Sequence, residues 1–266
     1  MSNDTITLLD GIRWNKDELI SNMDFDPFYY GHLSRAALSS SACKDLLRSS
    51  KAYYKSLQRE QKDTKELREG RLFHTLVLEP EKMQQKYDFV EVDKRTLKAF
   101  KDTDLATDKE VFLQKEFYFM RALKKNIDKC EYANSLLQDG LGEVPALDFI
   151  NGIPFRGKAD YLRNNHIVDL KTTSSLDGWE YTSKKKWHYD MQAFIYRQLF
   201  NVERFTFLVI EKITGEIGIY EASEECFESG EDKVRICTDR YKEDFLGKSD
   251  DEIEAVVFNS YIQGSI

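Results

Sequence analysis

The stretch Gly157-Lys-Ala-Asp-Tyr-Leu-Arg-Asn-Asn-His-Ile-Val-Asp-Leu-Lys-Thr-Thr173 decides the fold of this chain. In its second half, hydrophobic and charged residues alternate with a period of two. This pattern predicts a strand with Asp169 and Lys171 on one face. The other face carries the hydrophobic residues of the strand and Thr172. Asn164-Asn165 is a turn signal, and residues 155–162 predict a partner strand. A hairpin of these two strands would place Asp160 beside Asp169.

Two carboxylates and one ammonium at converging strands are suited to Mg²⁺ and a phosphate group. Carboxylates are hard oxygen ligands for this metal. Lys171 would act as a point charge toward a phosphate or its attacking water. The alternative is that Asp169 and Lys171 form an ordinary solvated pair on an exposed strand.

A second motif, Tyr189-Asp-Met-Gln-Ala-Phe-Ile-Tyr196, follows at a short distance and predicts a helix. Gln192 and Tyr196 are four residues apart and therefore face the same way. Such a helix can hold an amide and a phenol beside the sheet. The alternative is an ordinary amphipathic helix that contributes only core residues, here Met191, Ile195 and Leu199.

Together these motifs resemble the nuclease core of the PD-(D/E)xK superfamily. Within it, the chain is similar to RecE-type (exodeoxyribonuclease VIII-like) exonucleases of phages and prophages. N-terminal motifs in the same order support the likeness, in the stretches Leu38–Leu47, Ser50–Tyr54 and Glu69–Pro80. The resemblance covers roughly residues 28 to 212. The chain departs from the family pattern at Lys51, where a proline is common, and after Lys212, where prolines are common; these departures bear on the subfamily.

The resemblance implies a metal site and a set of catalytic residues. Asp160, Asp169 and the carbonyl of Leu170 would hold one or two Mg²⁺ ions, which Mn²⁺ can replace. His74 matches a histidine that joins this site, and Glu143 matches a glutamate near the metals. Lys171 would orient or activate the water, and two further side chains would position the strand or Lys171, namely Gln192 and Tyr196.

Two of these assignments have a plain structural alternative. A lone histidine within a helix such as the one predicted around His74 is commonly a structural residue. Glu143 follows the turn Asp139-Gly-Leu-Gly and is equally well interpreted as a solvated charge.

The activity implied is processive 5′→3′ resection of linear double-stranded DNA, which leaves a 3′ overhang for a single-strand annealing protein. Family members form closed rings around DNA, so a homotrimer or homotetramer is expected. The implied location is the cytoplasm of a bacterial host, from a phage or prophage gene. Two rival functions stay open: a PD-(D/E)xK endonuclease, as a restriction enzyme or junction resolvase, and a DNA-binding protein without activity.

The length of the chain allows one large domain, and the resemblance implies that this is a single α/β nuclease domain. The 266 residues are 41% hydrophobic and 13% aromatic, enough for a sizeable core. We predict a helical part over about 1–140, a sheet core over about 141–221 and an acidic helical part over about 222–266. No apolar run approaches the length of a membrane span, and no targeting peptide is apparent. The four cysteines include no Cys-x-x-Cys pair, so no iron–sulfur cluster is expected.

The formal charge of −8 is concentrated in one segment. Residues 221–254 hold 13 acidic and 5 basic residues, and the remaining chain holds 34 of each. Basic patches elsewhere are candidates for contact with DNA. The candidates are Lys184, Lys185, Lys186 and Trp187 before the second motif, and Arg48 and Lys51 on the N-terminal helices. The alternative for such charges is a solvated face.

The expected order of elements gives a central mixed sheet flanked by helices, with an N-terminal helical extension. Residues 1–33 are predicted to be irregular, with an aromatic cluster over 25–30. A helix capped by Ser39 or Ser40 runs to Arg48, and residues 94–139 are predicted to be mostly helical. Strands are expected near 143–150, 153–163, 166–172, 204–210 and 216–220, and later helices over 186–200, 223–245 and 250–258.

Overall fold

The structure is a computed structural model that describes residues 5–59 and 63–259. Its strands are short at the N-terminal end and long in the second half of the chain. They are β1 (Thr5–Thr7), β2 (Arg13–Asn15), β3 (Tyr87–Val90), β4 (Glu110–Leu113), β5 (Leu141–Ile150), β6 (Ile153–Arg163), β7 (His166–Thr173), β8 (Arg204–Glu211) and β9 (Ile217–Glu221).

Helices fill most of the first half and the C-terminal part of the described chain. They are α1 (Lys16–Asn22), α2 (Leu33–Ala36), α3 (Ser40–Arg48), α4 (Ser50–Gln58), α5 (Lys65–Leu78), α6 (Met83–Lys86), α7 (Lys98–Ala106), α8 (Gln114–Lys129), α9 (Glu131–Leu136), α10 (Trp179–Lys185), α11 (Tyr189–Phe200), α12 (Glu224–Asp244) and α13 (Asp250–Asn259). None of these helices is both long and apolar enough to cross a lipid bilayer.

A five-stranded mixed sheet in the order β5-β6-β7-β8-β9 forms the centre of the molecule. Strands β7 and β8 are parallel, and the other neighbouring pairs are antiparallel. A parallel pair requires a long crossover, which α10 and α11 provide. The mixed sheet confirms the predicted fold class.

The two faces of the sheet bury different hydrophobic clusters. One cluster joins residues of α3, α11 and α12 to Ile167 of β7. The other joins residues of α5 and α8 to Val168 and Leu170 of the same strand. Adjacent residues of β7 therefore point into opposite layers, as the alternation in the sequence predicts. This strand is covered on both sides, so its charged residues Asp169 and Lys171 lie largely inside the protein.

The prediction that residues 1–33 are irregular is wrong over residues 5–33, and residues 1–4 lie outside the described part of the chain. Strands β1 and β2 pair there as an antiparallel hairpin, α1 follows, and Pro27–His32 form a single turn of π-helix. The Asn15 side chain caps α1 by accepting a hydrogen bond from the amide of Glu18. The segment is stabilised by its own small core, and such tertiary packing leaves little local signal in the sequence.

Residues 94–139 are mostly helical, as predicted, with one interruption near the centre. Strand β4 lies there and pairs in parallel with β3, because Val111, Phe112 and Leu113 are all buried. The helix expected over 186–200 begins at Tyr189, since His188 adopts a left-handed conformation with φ of 52°. The predicted cap is confirmed: Ser39 Oγ accepts a hydrogen bond from the Ala42 amide at 3.3 Å.

Candidate active site

The β6–β7 hairpin brings the two motif carboxylates to opposite positions. The pairing of these strands runs from Arg163 and His166 to Tyr161 and Val168. Asp160 and Asp169 are the next positions along the two strands. There the backbone pairing ends, and the Leu170 amide donates to Oδ2 of Asp160 at 2.8 Å instead. The side chain of Asp160 thus replaces a backbone acceptor and is fixed by the neighbouring strand.

A carboxylate and an imidazole join Asp160 from two other elements. Glu143 of β5 lies opposite Asp160, between the paired positions Gly142–Tyr161 and Val144–Ala159. Nδ1 of His74, on α5, lies 3.5 Å from Oδ2 of Asp160 and 4.0 Å from Oε1 of Glu143. One ligand atom from each of these three residues lies within 4.8 Å of the other two.

The backbone at Glu143 is strained. Its φ is 53°, in the left-handed region that residues with a Cβ rarely occupy inside a strand. A conformation of this kind costs about 1–3 kcal/mol and persists where the surrounding structure enforces it. Such strain is typical of functional sites, which favours a role for Glu143 over a solvated turn residue.

The electrostatics of the three residues fit a bound cation. Burial, followed by the charge of Asp160, raises the pKa of Glu143 to about 8. Burial also raises the pKa of Asp160, against the opposing charge of Lys171. Burial, followed by repulsion from Lys171, lowers the pKa of His74 to about 4, so its ring is neutral at pH 7. Two crowded carboxyl groups and a neutral imidazole suit a divalent ion.

Asp169 and Lys171 form a buried ion pair beside this cluster. Asp169 is fully buried, and its Oδ1 accepts a hydrogen bond from Nε2 of Gln192 at 2.7 Å. Its Oδ2 contacts the Lys171 ammonium but has no hydrogen-bond partner of good geometry in the described chain. Asp169 lies outside the three-residue cluster, although an unsatisfied carboxylate oxygen is suited to a cation. Its assignment as a metal ligand stays a prediction.

The charge state of Lys171 limits what this residue can do. Burial acts to lower its pKa, but the carboxylates of Asp169 and Asp160 outweigh burial and raise it. Lys171 is therefore protonated across the physiological range. A charged ammonium is suited to orienting a water or stabilising negative charge.

Gln192 and Tyr196 project from α11 toward different partners. Gln192 holds Asp169, as described above. The hydroxyl of Tyr196 accepts a hydrogen bond from the Lys158 amide at 3.4 Å. Its ring packs on Gly157, where a Cβ would lie only 2.9 Å from a ring carbon. Tyr196 therefore supports β6, and its predicted catalytic role stays a prediction.

Helix α12 holds α11 in place from behind. The buried carboxylate of Asp190 accepts from Ser229 Oγ at 2.7 Å and forms an ion pair with Lys233. At Gly230 the two helices touch, since a Cβ there would lie 2.2 Å from the Asp190 carbonyl oxygen. The helix that carries Gln192 and Tyr196 is thus fixed by the acidic C-terminal segment.

A cleft of about 2400 Å³ lies between the sheet and the N-terminal helices, and it is lined by His74, Glu143, Asp160, Lys171, Gln192 and Tyr196. Lys44 of α3 also lines this cleft. No role for Lys44 was predicted from the sequence, although the residue lies in the stretch Leu38–Leu47. Its ammonium is 5.2 Å from the ring of Tyr189, and the Lys171 ammonium is 5.1 Å from the same ring. Burial, followed by the charge of Lys171, lowers the pKa of Lys44 to about 8.

The predicted DNA-contacting residues lie outside the lining of this cleft. Lys185 and Lys186 are exposed, and Lys184 accepts a hydrogen bond at its carbonyl from Lys233. The other three are engaged with neighbours: the Trp187 ring lies 5.5 Å from that of Tyr189, Arg48 pairs with Asp45 at 3.9 Å, and the Lys51 ammonium lies 5.4 Å from the Phe258 ring. Their contact with DNA stays a prediction.

Comparison with known families identifies the fold. Residues 39–250 match the family described as PDDEXK-like domain of unknown function (DUF3799). The chain belongs to this family. The PDDEXK-like assignment agrees with the mixed sheet and with the positions of Asp160, Asp169 and Lys171, and it supports a nuclease that uses a divalent metal.

Solved structures extend the comparison of this PDDEXK-like protein at the level of the fold. A protein from Eubacterium rectale, described as a candidate exonuclease, is 17% identical with a TM-score of 0.61, covering 91% of this chain and 95% of its own. The protein SSO0001 is also 17% identical, and the match covers 78% of this chain and 88% of SSO0001. Its TM-score of 0.28 is too low to indicate a shared fold. No curated protein matches the sequence.

Proposed function

We propose that this protein is a metal-dependent exonuclease that hydrolyses phosphodiester bonds of linear double-stranded DNA. The observation that carries the proposal is the convergence of His74, Glu143 and Asp160 within 4.8 Å, beside the buried Asp169–Lys171 pair. A cleft that opens onto these groups gives a nucleic-acid strand access to them.

A divalent ion, Mg²⁺ or Mn²⁺, held by His74, Glu143 and Asp160 would supply charge stabilisation to the phosphate and acidify a water. Lys171 faces the same cleft as a permanent cation and stabilises negative charge that develops on phosphorus. Asp169 keeps that ammonium in place, and Gln192 fixes the carboxylate of Asp169. The pre-arranged groups avoid the cost of reorganisation during the reaction.

The resemblance to RecE-type exonucleases supports 5′→3′ polarity, a 3′ single-stranded product and a homotrimeric or homotetrameric ring. It also supports recombination with a strand-annealing protein in the cytoplasm of a bacterial host, encoded by a phage or prophage. The acidic segment 221–254 and basic residues of the N-terminal helices offer complementary charges for contacts between subunits.

Digestion of linear and circular duplex DNA with Mg²⁺ tests the proposal. The DNA is labelled at the 5′ end in one sample and at the 3′ end in another, and products are followed with time. We expect linear DNA to be degraded from the 5′ end, with circular DNA left intact and no reaction in EDTA. Cutting of circular DNA would identify an endonuclease, and binding without cleavage would identify a non-enzymatic DNA-binding protein.

A further inference from the structure

Arg156 of β6 is a buried cation without a matching anion. Its side chain lines the cleft, yet the residue is only 7% exposed. Its Nε has no hydrogen-bond partner, and no carboxylate of residues 5–59 or 63–259 forms an ion pair with its guanidinium. Burial of a charged group is costly unless an opposite charge accompanies it. No anion of the described chain therefore balances this charge, and the side chain is reached through the cleft.

Lys158 lies two residues further along the same strand and also lines the cleft. Its side chain is 11% exposed, and its ion pair in the described chain, with the exposed Asp26, is long at 3.7 Å. Both cations rest on one aromatic ring: the guanidinium lies 4.3 Å and the ammonium 5.0 Å from the Tyr29 ring centre. The ring supports two positive charges without neutralising either of them.

The order of these residues along β6 connects them to the metal cluster. Arg156, Lys158 and Asp160 alternate along the strand, and all three line the cleft. A strand rises about 3.3 Å per residue, so alternate residues are roughly 6.6 Å apart. The two cations therefore form a track that leads directly to the carboxylate at the proposed centre of hydrolysis. Two positive charges at this separation suit two successive phosphates of one nucleic-acid strand.

We propose that Arg156 and Lys158 form a subsite for the DNA phosphates adjacent to the scissile bond. Arg156 binds one phosphate through its planar guanidinium fork, and Lys158 binds the phosphate between that site and Asp160. The subsite rests on the proposed nuclease function. It assigns one DNA phosphate to Arg156 and the next one to Lys158. Its ligand is a DNA phosphate, either an internal phosphodiester or the phosphate at a 5′ end.

The test measures whether a change in the protein and a change in one phosphate act on the same contact. Short duplexes carry one neutral methylphosphonate at each of the first four linkages from the 5′ end, and one further duplex has a 5′-hydroxyl in place of the 5′-phosphate. Binding is measured by fluorescence anisotropy with Ca²⁺ in place of Mg²⁺, for wild type, Arg156→Gln, Arg156→Lys and Lys158→Gln. Arg204→Gln is the matched control, because Arg204 is exposed, pairs with Glu221 and lies outside the cleft lining.

We expect wild type to lose about 10- to 100-fold in affinity when the contacted phosphate is neutral. Arg156→Gln should bind unmodified DNA more weakly by a similar factor and lose nothing further on the duplex modified at that position. Lys158→Gln should show the same pattern one linkage away. Each substitution should also reduce the slope of log affinity against log salt by about 0.9, whereas Arg204→Gln should not. Insensitivity to the missing 5′-phosphate identifies the ligand as an internal phosphodiester.

The affinity loss from the substitution and the affinity loss from the neutral linkage could simply multiply at every position. That result would overturn the subsite, since Arg156 would then act without touching a phosphate. Arg156→Lys keeps the charge and should lose less than Arg156→Gln at the same linkage, which covers the case in which the glutamine variant folds poorly. Position-specific coupling in a protein that cuts no DNA would uphold the subsite and refute the nuclease. Cleavage without coupling would refute the subsite alone, and absence of DNA binding would refute both.

Discussion

Oδ2 of Asp160 lies 3.5 Å from Nδ1 of His74, although 86 positions separate the two residues in the chain. The contact joins helix α5 to strand β6 and therefore links the helical first half to the sheet. Neither half contains all three residues of the proposed metal site. The site exists only when both halves are folded and packed together.

Replacement of Lys171 by alanine should reduce cleavage by about 10²- to 10³-fold, because the variant lacks a positioned charge in a buried site. Metal and DNA binding should be largely retained. The change also leaves Asp169 buried without its cation, so some loss of thermal stability is expected. Lys212→Ala is the control: Lys212 pairs with Glu69 at 3.0 Å, outside the cleft lining. Near wild-type turnover in purified Lys171→Ala protein would contradict the catalytic role.

His74→Ala should raise the Mg²⁺ or Mn²⁺ concentration needed for half-maximal activity and change the melting temperature little. His166→Asn is a matched control, since His166 is buried, bonds to Thr206 at 2.8 Å and has, like His74, a pKa lowered to about 4 mainly by burial. That variant should melt at lower temperature with an unchanged metal requirement. The reverse pattern would make His74 a structural residue.

The metal-free protein should become less stable as pH rises from about 6.5 to 8. Glu143 has a folded pKa of about 8, raised mainly by burial, so in this window the folded state holds a proton that the unfolded state has lost, and stability falls with increasing pH. Below pH 6.5 the lowered pKa values of His74 and His166 act in the opposite direction to the raised pKa of Asp169. Added Mg²⁺ should raise the melting temperature more at pH 8 than at pH 5.

Glu143→Gln should flatten most of this pH dependence, because the amide does not titrate. Melting curves of both proteins across the range, with and without metal, measure the effect. A wild-type melting temperature that rises from pH 6.5 to 8 without metal would be inconsistent with the raised pKa of Glu143.

Gly230→Ala should destabilise the protein by roughly 1–3 kcal/mol, because the added methyl group forces α11 and α12 apart. Gly70→Ala is the comparison, since Gly70 is also helical and a Cβ there meets no atom within 4 Å. That change should be neutral or stabilising by up to about 1 kcal/mol. Denaturant unfolding of both variants measures the difference; equal stabilities would rule out tight packing at Gly230.

Light scattering should find a homotrimer or homotetramer of the 31.2 kDa chain at micromolar concentration. A closed ring would keep the enzyme on DNA by topology, whereas phosphate contacts alone weaken with salt. If the acidic segment 221–254 contributes to the interface, high salt should favour dissociation. A monomer at every ionic strength would favour a distributive nuclease or an endonuclease.

The features that could be predicted from the sequence are those that local residue patterns determine. Alternation in β7 and the Asn164-Asn165 turn predicted the hairpin, which the structure confirms. The position of His74 came from a family resemblance, because a single histidine in a helix has no pattern of its own. Arg156 was missed for a different reason: its burial depends on Tyr29, which lies 127 positions earlier in a segment predicted to be irregular. Long-range packing of that kind leaves no periodicity to detect.

The contact between Gly230 and Asp190 also sets the order in which the protein can mature. Helix α11 receives its rear support from Ser229, Gly230 and Lys233 of α12, which are synthesised after the motif residues. A nascent or truncated chain that ends before α12 contains every proposed catalytic residue but lacks the element that fixes α11. Assembly of the proposed site is therefore tied to synthesis of α12, and release of the chain before that point yields an unassembled site.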